Sequence, residues 1–437
     1  MVNDLPPPTV VHDEAGFRRM LEVLAAAPEV AVDTEADSFF SYREKVCLVQ
    51  ITALEQDWIV DPLAGLDLGG LGRMLADPSK TKVFHDGEYD ILIMKRDYGF
   101  RFSNLFDTRV AAATLGSQAP GLASVLKERF GVELDKSMQR SNWAQRPLTE
   151  KQLAYARLDT HFLLPLMHHQ KADLAQMDRA VIVEGECKRL EGIEPAGDRF
   201  HEDDYARLKG VRNLLPEARA VLRELYATRE QLAESINEPP FRVVNNETLL
   251  LIAERAPRAP HELMRVPGFS SKQGRRWGDE LLNAVARGLA AEPVKRLPQL
   301  PSKDGTGGFD AAQHELHERL KSWRKDEAAR LGFDAAYLLN RHVLLHLTQH
   351  KPRTPEELQR IEGLHAWQAE RHGDAILAVI RAFESDLAAG RIELGPKRRF
   401  CLEWRAAGGF AANMGYNLRK SCGECLPTST NGLTGRL

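Results

Sequence analysis

Two acidic residues, Asp33 and Glu35, directly follow the short apolar run of residues 30–32. Side chains alternate across a β-strand, so positions 33 and 35 are expected to point to the same face. Two carboxylates placed in this way can share a divalent cation such as Mg²⁺ or Mn²⁺, because these ions prefer hard oxygen ligands. Taken alone, the pattern fits two solvated charges on an edge strand better than a metal site, so the pair needs partners elsewhere in the chain.

A second pair of residues that could take part in catalysis is Tyr155 and Asp159. Both lie in residues 149–166, TEKQLAYARLDTHFLLPL, which we predict to form one helix with Thr149 and Gln152 as a capping box at its start. Residues four apart share one helix face, so the phenol and the carboxylate should lie side by side. Taken alone, the pair fits a surface tyrosine packed along an amphipathic helix better than a catalytic pair.

The third candidate is Asp90, in the segment KVFHDGEYDILIMKRDYGF. A strand is predicted to end near Phe84, and after a short turn a helix over residues 87–96 carries Asp90. Three other acids lie close to it in the chain: Asp86, Glu88 and Asp97. Residue types and spacing do not choose among these four.

Four carboxylates and one tyrosine gathered in one place would suit phosphoryl chemistry. Two divalent ions about 4 Å apart can hold the attacking and leaving oxygens of an in-line displacement at phosphorus. A tyrosine beside the attacking water can orient it by hydrogen bonding, although its unperturbed pKa of roughly 10 makes it a poor base. Asp33, Glu35 and Asp159 would supply three of these carboxylates, and one of the four acids around residue 90 would supply the fourth.

These residues must be positioned by a sheet, and the first 200 residues contain short β-branched or aromatic runs typical of strands. Strands are predicted over residues 30–32, 47–51, 58–60 and 82–84, and helices over 13–26, 87–96, 107–115 and 122–130. This order predicts an α/β domain with a mixed sheet flanked by helices. From about residue 203 the strand signal disappears, and the remainder is predicted to be helical.

An internal repeat with an offset of 95 residues organises the helical part. Paired positions include Pro257 with Pro352, Leu263 with Leu358, and Gly268 with Gly363. The offset does not slip, so two copies of one small helical domain are predicted. The expected layout is a catalytic domain (1–202), a first helical domain (203–290), a linker rich in Pro, Gly, Ser and Lys (291–308), a second helical domain (309–390) and a partly disordered tail (391–437).

Composition sets the class of protein and its compartment. Of 437 residues, 43% are hydrophobic and 28% charged, which is typical of a globular protein. Five thinly spread cysteines favour reduced thiols in a cytoplasm, and neither a secretory signal nor a membrane-spanning stretch is expected. Residues 206–289 hold 14 Lys and Arg against 10 Asp and Glu, a local excess of +4 within a chain of net charge −3. That excess is consistent with contacts to nucleic acid.

The motifs together resemble the DEDD exonucleases of the RNase D type. DTEAD at 33–37 is similar to the family's first motif, VFHDGEYDILIMKRDYG at 83–99 with LFDTRVAA at 105–112 to its second, and SNWAQRPLTEKQLAYARLDTHFLLPL at 141–166 to its third. The second motif selects Asp90, and the Tyr-x-x-x-Asp spacing implies the tyrosine subclass. The segments 210–290 and 309–390 resemble HRDC and HRDC-like domains. Departures are the extra acids at 86 and 88, and Asn142 where the family often has an acid.

The resemblance implies an RNase H-like fold and a 3′→5′ exonuclease with Asp33, Glu35, Asp90, Tyr155 and Asp159 as catalytic residues. It also implies two divalent metal ions, Mg²⁺ or Mn²⁺, and RNA with a free 3′ end as substrate, chiefly tRNA precursors. A DNA exonuclease with the same metal centre is the main alternative, and an inactive nucleic-acid-binding module is a weaker one. The pair Cys422 and Cys425 lacks partner ligands for zinc, so no zinc site is predicted there.

Overall fold

The computed structural model describes residues 5–392 apart from 196, 198, 199, 299 and 301–304. A partly disordered tail was predicted over 391–437, and from residue 393 onwards this segment lies outside the described residues. Cys422 and Cys425 lie outside them as well. Within the described chain, strands are confined to the part before residue 203 and helices make up the part that follows. The predicted order of an α/β part and an all-helical part is therefore confirmed.

The α/β part is built on one mixed sheet of six strands. They are β1 (Thr9–Val11), β2 (Glu29–Ala36), β3 (Val46–Ala53), β4 (Gln56–Val60), β5 (Thr81–Phe84) and β6 (Leu105–Asp107), in the spatial order β1-β4-β3-β2-β5-β6. The pairs β2–β3 and β3–β4 are antiparallel, whereas β1–β4, β2–β5 and β5–β6 are parallel. The strand that carries Asp33 and Glu35 thus lies inside the sheet and not at its edge.

Eight α-helices accompany this sheet in the described residues. They are α1 (Glu14–Ala26), α2 (Gly69–Ala76), α3 (Glu88–Tyr98), α4 (Thr108–Thr114), α5 (Leu122–Phe130), α6 (Glu150–His161), α7 (Leu163–Gln176) and α8 (Ala180–Gly192). All eight residues of β3 are buried. Val49 and Ile51 belong to the large core, and Leu48 to a smaller cluster with Trp143 and Ala156 of α6. Apolar side chains therefore cover both faces of the sheet and hold α6 against one of them.

Some elements differ from the prediction for identifiable reasons. The edge strands β1 and β6 have three residues each, too few for a period of two to show. The predicted single helix over 149–166 is two helices, with a break at Phe162. Pro165 explains the break, because its ring has no N–H and would collide with the carbonyl of His161 in a continuous helix.

Two 3₁₀ helices, Glu202–Arg207 and Val211–Asn213, open the helical part, and its described residues then form two sets of five α-helices in the same order. The first set is α9 (Pro216–Ser235), α10 (Pro240–Val243), α11 (Asn246–Arg255), α12 (Pro260–Leu263) and α13 (Ser271–Ala290). The second is α14 (Ala311–Leu331), α15 (Ala335–Leu338), α16 (Arg341–His350), α17 (Pro355–Leu358) and α18 (Ala366–Ala388). Each set encloses its own apolar cluster. We call them the first and second repeats.

Backbone details recur at the offset of 95 residues. Gly268 and Gly363 both adopt positive φ, at 81° and 78°. A side chain at Gly268 would place Cβ 2.4 Å from the Thr248 hydroxyl, so both the backbone and the space require glycine there. Ala256 and Lys351 end α11 and α16 in the same left-handed conformation. The internal repeat predicted from the sequence is therefore a structural repeat.

The described residues of the predicted linker, 291–298, 300 and 305–308, contain no helix or strand. The domain boundaries at 202, 290 and 308 stay predictions. No helix in the described part of the chain is both long and apolar enough to cross a membrane.

Arg146 fixes the segment before α6 to the sheet. Its guanidinium donates to both carboxylate oxygens of Asp61 at 2.6 and 2.7 Å, to the Trp143 carbonyl at 2.7 Å, and to the Cys47 carbonyl at 3.0 Å. The pair is largely buried, so removing the guanidinium takes these donors from two carbonyls and leaves the Asp61 carboxylate with the Leu63 N–H at 3.0 Å. The contact therefore stabilises the position from which α6 begins.

Replacing Arg146 by alanine should lower the free energy of local opening of residues 139–149 by about 2 kcal/mol. Native-state hydrogen exchange should then be roughly thirtyfold faster at the protected amides of this segment. Arg101→Ala, at an exposed arginine outside the segment, is the matched control. Unchanged exchange in Arg146→Ala would show that the segment is held by apolar packing alone.

Candidate active site

Strand β2 presents Asp33 and Glu35 on one face, as the alternation predicts. β2 pairs with β3 on one side, where Asp33 lies opposite Gln50 and Glu35 opposite Leu48. The register shifts between Glu35 and Ala36, so the strand pairing becomes irregular directly after the second acid. Two carboxylates are thereby fixed at the end of an internal strand.

Helix α6 brings Tyr155 and Asp159 to the same face of the sheet. It begins with the predicted capping box, in which Thr149 accepts from the Gln152 backbone and the Gln152 side chain accepts from Thr149. Carboxylate oxygens of Asp33, Glu35 and Asp159 lie within 4.8 Å of one another. Because α6 and β2 are more than 100 residues apart in the chain, this grouping depends on how the helix packs on the sheet.

The register of α6 on the sheet is fixed by contacts on either side of Asp159. The hydroxyl of Thr160 lies 2.8 Å from that of Thr52 on β3. The ring of Tyr155 packs against Trp143, with 5.9 Å between the ring centroids. Trp143 is itself buried in the small cluster beneath the helix. These contacts hold the Tyr155 ring beside the carboxylates without using its hydroxyl.

Asp90 reaches the same cavity from the first turn of α3. One of its carboxylate oxygens, Oδ1, accepts two hydrogen bonds from Thr34, at 3.1 Å from the backbone N–H and at 2.5 Å from the hydroxyl. Thr34 lies between Asp33 and Glu35 in β2, so the strand that supplies two acids also positions a third. Asp90 stands outside the tight group of three carboxylates but lines the same cavity.

The other acids near Asp90 have separate partners. Glu88 pairs with Arg189 at 2.7 Å, and Asp97 accepts from the Val46 backbone at 2.9 Å. Asp86 lines the cavity, where its carboxylate lies 3.4 Å from the Arg109 guanidinium. Of these four acids, Asp90 is the one that hydrogen-bonds to Thr34 of β2, and its catalytic role stays a prediction.

The carboxylates line one open cavity of about 430 Å³ and crowd each other electrostatically. Burial, followed by the charges of Asp90, Asp159 and Glu35, raises the pKa of Asp33 well above its usual range. Burial and the charge of Asp90 raise the pKa of Asp159 to about 8. Burial also raises the pKa of Asp90 to about 6, against the opposing effect of the Thr34 hydrogen bonds.

Crowded carboxylates of this kind fit a site for divalent cations. Holding several like charges in one buried place is unfavourable unless positive charge compensates them. All the donors are hard oxygens, which is the ligand set that Mg²⁺ and Mn²⁺ prefer. Tyr155 shares the cavity, and burial with the neighbouring charges of Asp159 and Glu35 raises the pKa of its hydroxyl well above the usual value.

Sequence reasoning missed three residues that shape the site: Thr34, Asp107 and Arg109. Asp107 is buried at the end of β6 and accepts from the backbone N–H groups of Asp86, Gly87, Arg109 and Val110. It thereby ties the turn before α3 to the start of α4. An acid directly before a helix is a recognisable N-cap signal, but its second set of bonds to residues 86 and 87 is long-range.

Comparisons with known proteins identify the family of the chain. A family model described as a 3′-5′ exonuclease matches residues 8–175, and a model described as an HRDC domain matches twice, over 218–285 and 313–380. The two HRDC matches begin 95 residues apart, which is the offset of the internal repeat. Ribonuclease D of Acidiphilium cryptum is 33% identical over 397 residues, covering 90% of this chain and 96% of that protein. The chain belongs to the ribonuclease D family.

Other ribonuclease D proteins give the same result. Ribonuclease D of Pseudomonas paraeruginosa is 30% identical over 381 residues, and the match covers 85% of this chain and 97% of that protein. The solved structure of Escherichia coli RNase D, described as an exoribonuclease involved in structured RNA processing, is similar with a TM-score of 0.62. It is 25% identical and covers 86% of this chain and 99% of that one.

The expected family and fold class are thus confirmed. As a ribonuclease D family member with a 3′-5′ exonuclease domain, the chain is a hydrolytic nuclease that acts from the 3′ end. The catalytic roles of the individual residues remain predictions.

Proposed function

We propose that this protein removes nucleotides one at a time from the 3′ end of RNA and so matures structured RNAs, chiefly tRNA precursors, in the cytoplasm. The observation that carries the proposal is the grouping of Asp33, Glu35 and Asp159 within 4.8 Å, with Asp90 and Tyr155 in the same cavity. The ribonuclease D relatives support RNA as the substrate. The two HRDC matches support binding of nucleic acid beyond the reacting end.

In this proposal Asp33, Glu35, Asp90 and Asp159 hold two divalent cations, Mg²⁺ or Mn²⁺. Bound cations would supply the positive charge that activates water for attack on phosphorus and stabilises the leaving 3′ oxygen. The chain's own contribution is geometric. Thr34 holds the Asp90 carboxylate against β2, and the packing of α6 sets Asp159 against Asp33.

Tyr155 has a different role, because its hydroxyl shares the cavity while its ring is fixed by Trp143. We assign to this hydroxyl the orientation of the attacking water by a hydrogen bond. Rings packed in this way give the hydroxyl a defined place, which a flexible surface tyrosine would lack.

One experiment tests substrate, polarity and metal dependence together. RNA and DNA of one sequence, labelled at the 5′ end, are incubated with the full chain and Mg²⁺ or Mn²⁺. RNA should shorten from the 3′ end in single-nucleotide steps, at least about tenfold faster than DNA if one hydrogen bond to the 2′-hydroxyl discriminates. RNA with a 3′-phosphate should be shortened much more slowly, because the added group must occupy the cavity.

Each other outcome has a defined meaning. Degradation of DNA at a rate equal to or above that of RNA would favour the alternative, a 3′-5′ exonuclease that acts on DNA in repair. Internal cuts, or equal degradation of free and blocked ends, would contradict attack from the 3′ end. Activity that persists in excess chelator would contradict the metal-dependent mechanism.

A further inference from the structure

Arg109 gives the cavity a feature that the carboxylates do not explain. Among the described residues that line the cavity it is the one lysine or arginine, beside five acids: Asp33, Glu35, Asp86, Asp90 and Asp159. RNA brings a negative charge at every linkage, and an acidic cavity needs cationic groups to receive it. The Arg109 side chain is 37% exposed and lines the cavity.

Contacts on two sides hold this guanidinium. Its Nε lies 3.4 Å from the Asp86 carboxylate, and its Nη1 donates to the hydroxyl of Tyr337 at 3.3 Å. Within the described part of the chain Nη2 has no hydrogen-bond acceptor, so donors remain for a ligand. The backbone of Arg109 is fixed as well, because its N–H donates to Asp107 at 2.8 Å.

Tyr337 belongs to α15 of the second repeat, 228 residues further along the chain. The surface that carries it is firmly docked on the exonuclease part. Arg179 donates to the carbonyl of Thr114 at 2.7 Å and to that of Leu331, and its guanidinium lies over the Phe333 ring at 5.2 Å. The hydroxyl of Tyr337 therefore has a fixed position relative to α4.

The exonuclease part and the second repeat are closely packed where they meet. Gly116, with φ of +97°, approaches the second repeat so closely that a Cβ there would lie 2.6 Å from the Gly332 carbonyl oxygen. Ile182 of α8 is buried with Phe333, Leu338 and Trp367 of the second repeat. The second repeat is thus packed tightly enough to orient a side chain in the cavity.

We propose that Arg109 binds a phosphate of the substrate next to the one that is hydrolysed, and that Tyr337 positions its guanidinium for this contact. The inference rests on the proposed function. Arg109 makes no ion pair with Asp33, Glu35, Asp90 or Asp159 in the described structure, so it stands apart from the groups assigned to the scissile phosphate. A planar guanidinium suits the adjacent non-bridging phosphate oxygens.

The second repeat thereby becomes part of the substrate site. The HRDC match alone implies only general binding of nucleic acid, whereas the contact between Tyr337 and Arg109 places one hydroxyl of this repeat beside the path of the chain end. Tyr337 acts through Arg109 and is a positioning residue, whereas Arg109 touches the substrate.

The test uses RNA in which single linkages are made neutral. Three oligouridines are compared. The first is unmodified, the second carries one methylphosphonate at the second linkage from the 3′ end, and the third carries one at the sixth linkage. Release of the first nucleotide is measured with the full chain as kcat and KM. In the wild type, the neutral second linkage should lower kcat/KM roughly 10- to 100-fold, the worth of one charge-assisted hydrogen bond. Arg109→Ala should lose a similar factor on unmodified RNA and nothing further on the RNA with the neutral second linkage.

Matched variants separate positioning from folding. Tyr337→Phe keeps the ring and should raise KM about threefold on unmodified RNA with kcat unchanged, and have no effect when the second linkage is neutral. Arg371→Ala removes a contact of the second repeat to Asp178 that does not line the cavity, and it should behave as the wild type. Arg109→Lys keeps the charge and should recover part of the loss.

Two results would overturn the inference while leaving the proposed function intact. The first is that the neutral second linkage lowers kcat/KM by the same factor in the wild type and in Arg109→Ala. The second is that, in the wild type, neutral linkages at the second and sixth positions lower kcat/KM equally. If the wild type released no nucleotide from unmodified RNA, the proposed function itself would fail, and this inference with it.

Discussion

Replacing Asp33 by asparagine should reduce RNA hydrolysis by at least about a thousandfold while RNA binding changes by less than about threefold. Asparagine keeps the size of the side chain but lacks the charge, and it leaves Glu35 and Asp159 without the third carboxylate of their group. RNA is a polyanion, so loss of a negative charge from the cavity does not weaken its binding.

Single-turnover kinetics with end-labelled RNA and excess Mn²⁺ measure the rate of hydrolysis, and filter binding without metal measures the affinity for RNA. Fewer crowded carboxylates repel each other less, so the thermal unfolding temperature should stay equal or rise. Glu88→Gln is the control, because Glu88 also lies beside Asp90 in the chain but pairs with Arg189. If Asp33→Asn kept more than a tenth of wild-type activity, Asp33 would not be a metal ligand in the reaction.

The second large effect is expected for Tyr155→Phe, which should lower kcat about a hundredfold and leave KM nearly unchanged. Phenylalanine keeps the ring that packs on Trp143, so the carboxylates and α6 should stay in place. What disappears is the hydroxyl in the cavity, and with it the hydrogen bond that we assign to the attacking water.

Steady-state kinetics on a short RNA separate the two constants. Tyr226→Phe is the control, since Tyr226 belongs to the first repeat and does not line the cavity. A raised KM with unchanged kcat would contradict the proposed role and would show that the hydroxyl binds substrate. An inactive Tyr155→Phe with altered metal affinity would instead show that the ring alone does not hold the site.

The local parts of the site could be predicted from the sequence because they depend on one element at a time. A strand places residues 33 and 35 on one face, and a helix places 155 and 159 on one face, whatever the remainder of the chain does. The capping box at Thr149 is equally local, and the structure contains it. The repeat offset of 95 residues is likewise written in the order of Pro, Gly and apolar positions.

Elements that are too short to show a hydrophobic periodicity could not be predicted from the sequence in this way. Strands β1 and β6 have three residues each, and their place in the sheet comes from pairing with β4 and β5. The break at Phe162 was visible in principle, since Pro165 excludes a continuous helix, but the apolar pattern on both sides concealed it.

What the sequence by itself determined was the chemistry available and its order along the chain: two acids on a strand, several acids around the start of a following helix, and a tyrosine with an acid on a later helix. The tertiary structure shows which carboxylates lie close together in space. Residue spacing did not distinguish Asp90 from Asp86, Glu88 and Asp97, and of these four Asp90 is the one that hydrogen-bonds to Thr34, 56 residues away. Arg109 acquired its place in the cavity through a hydroxyl 228 residues away. Such contacts depend on how packed elements meet in space, which no periodicity within one element encodes.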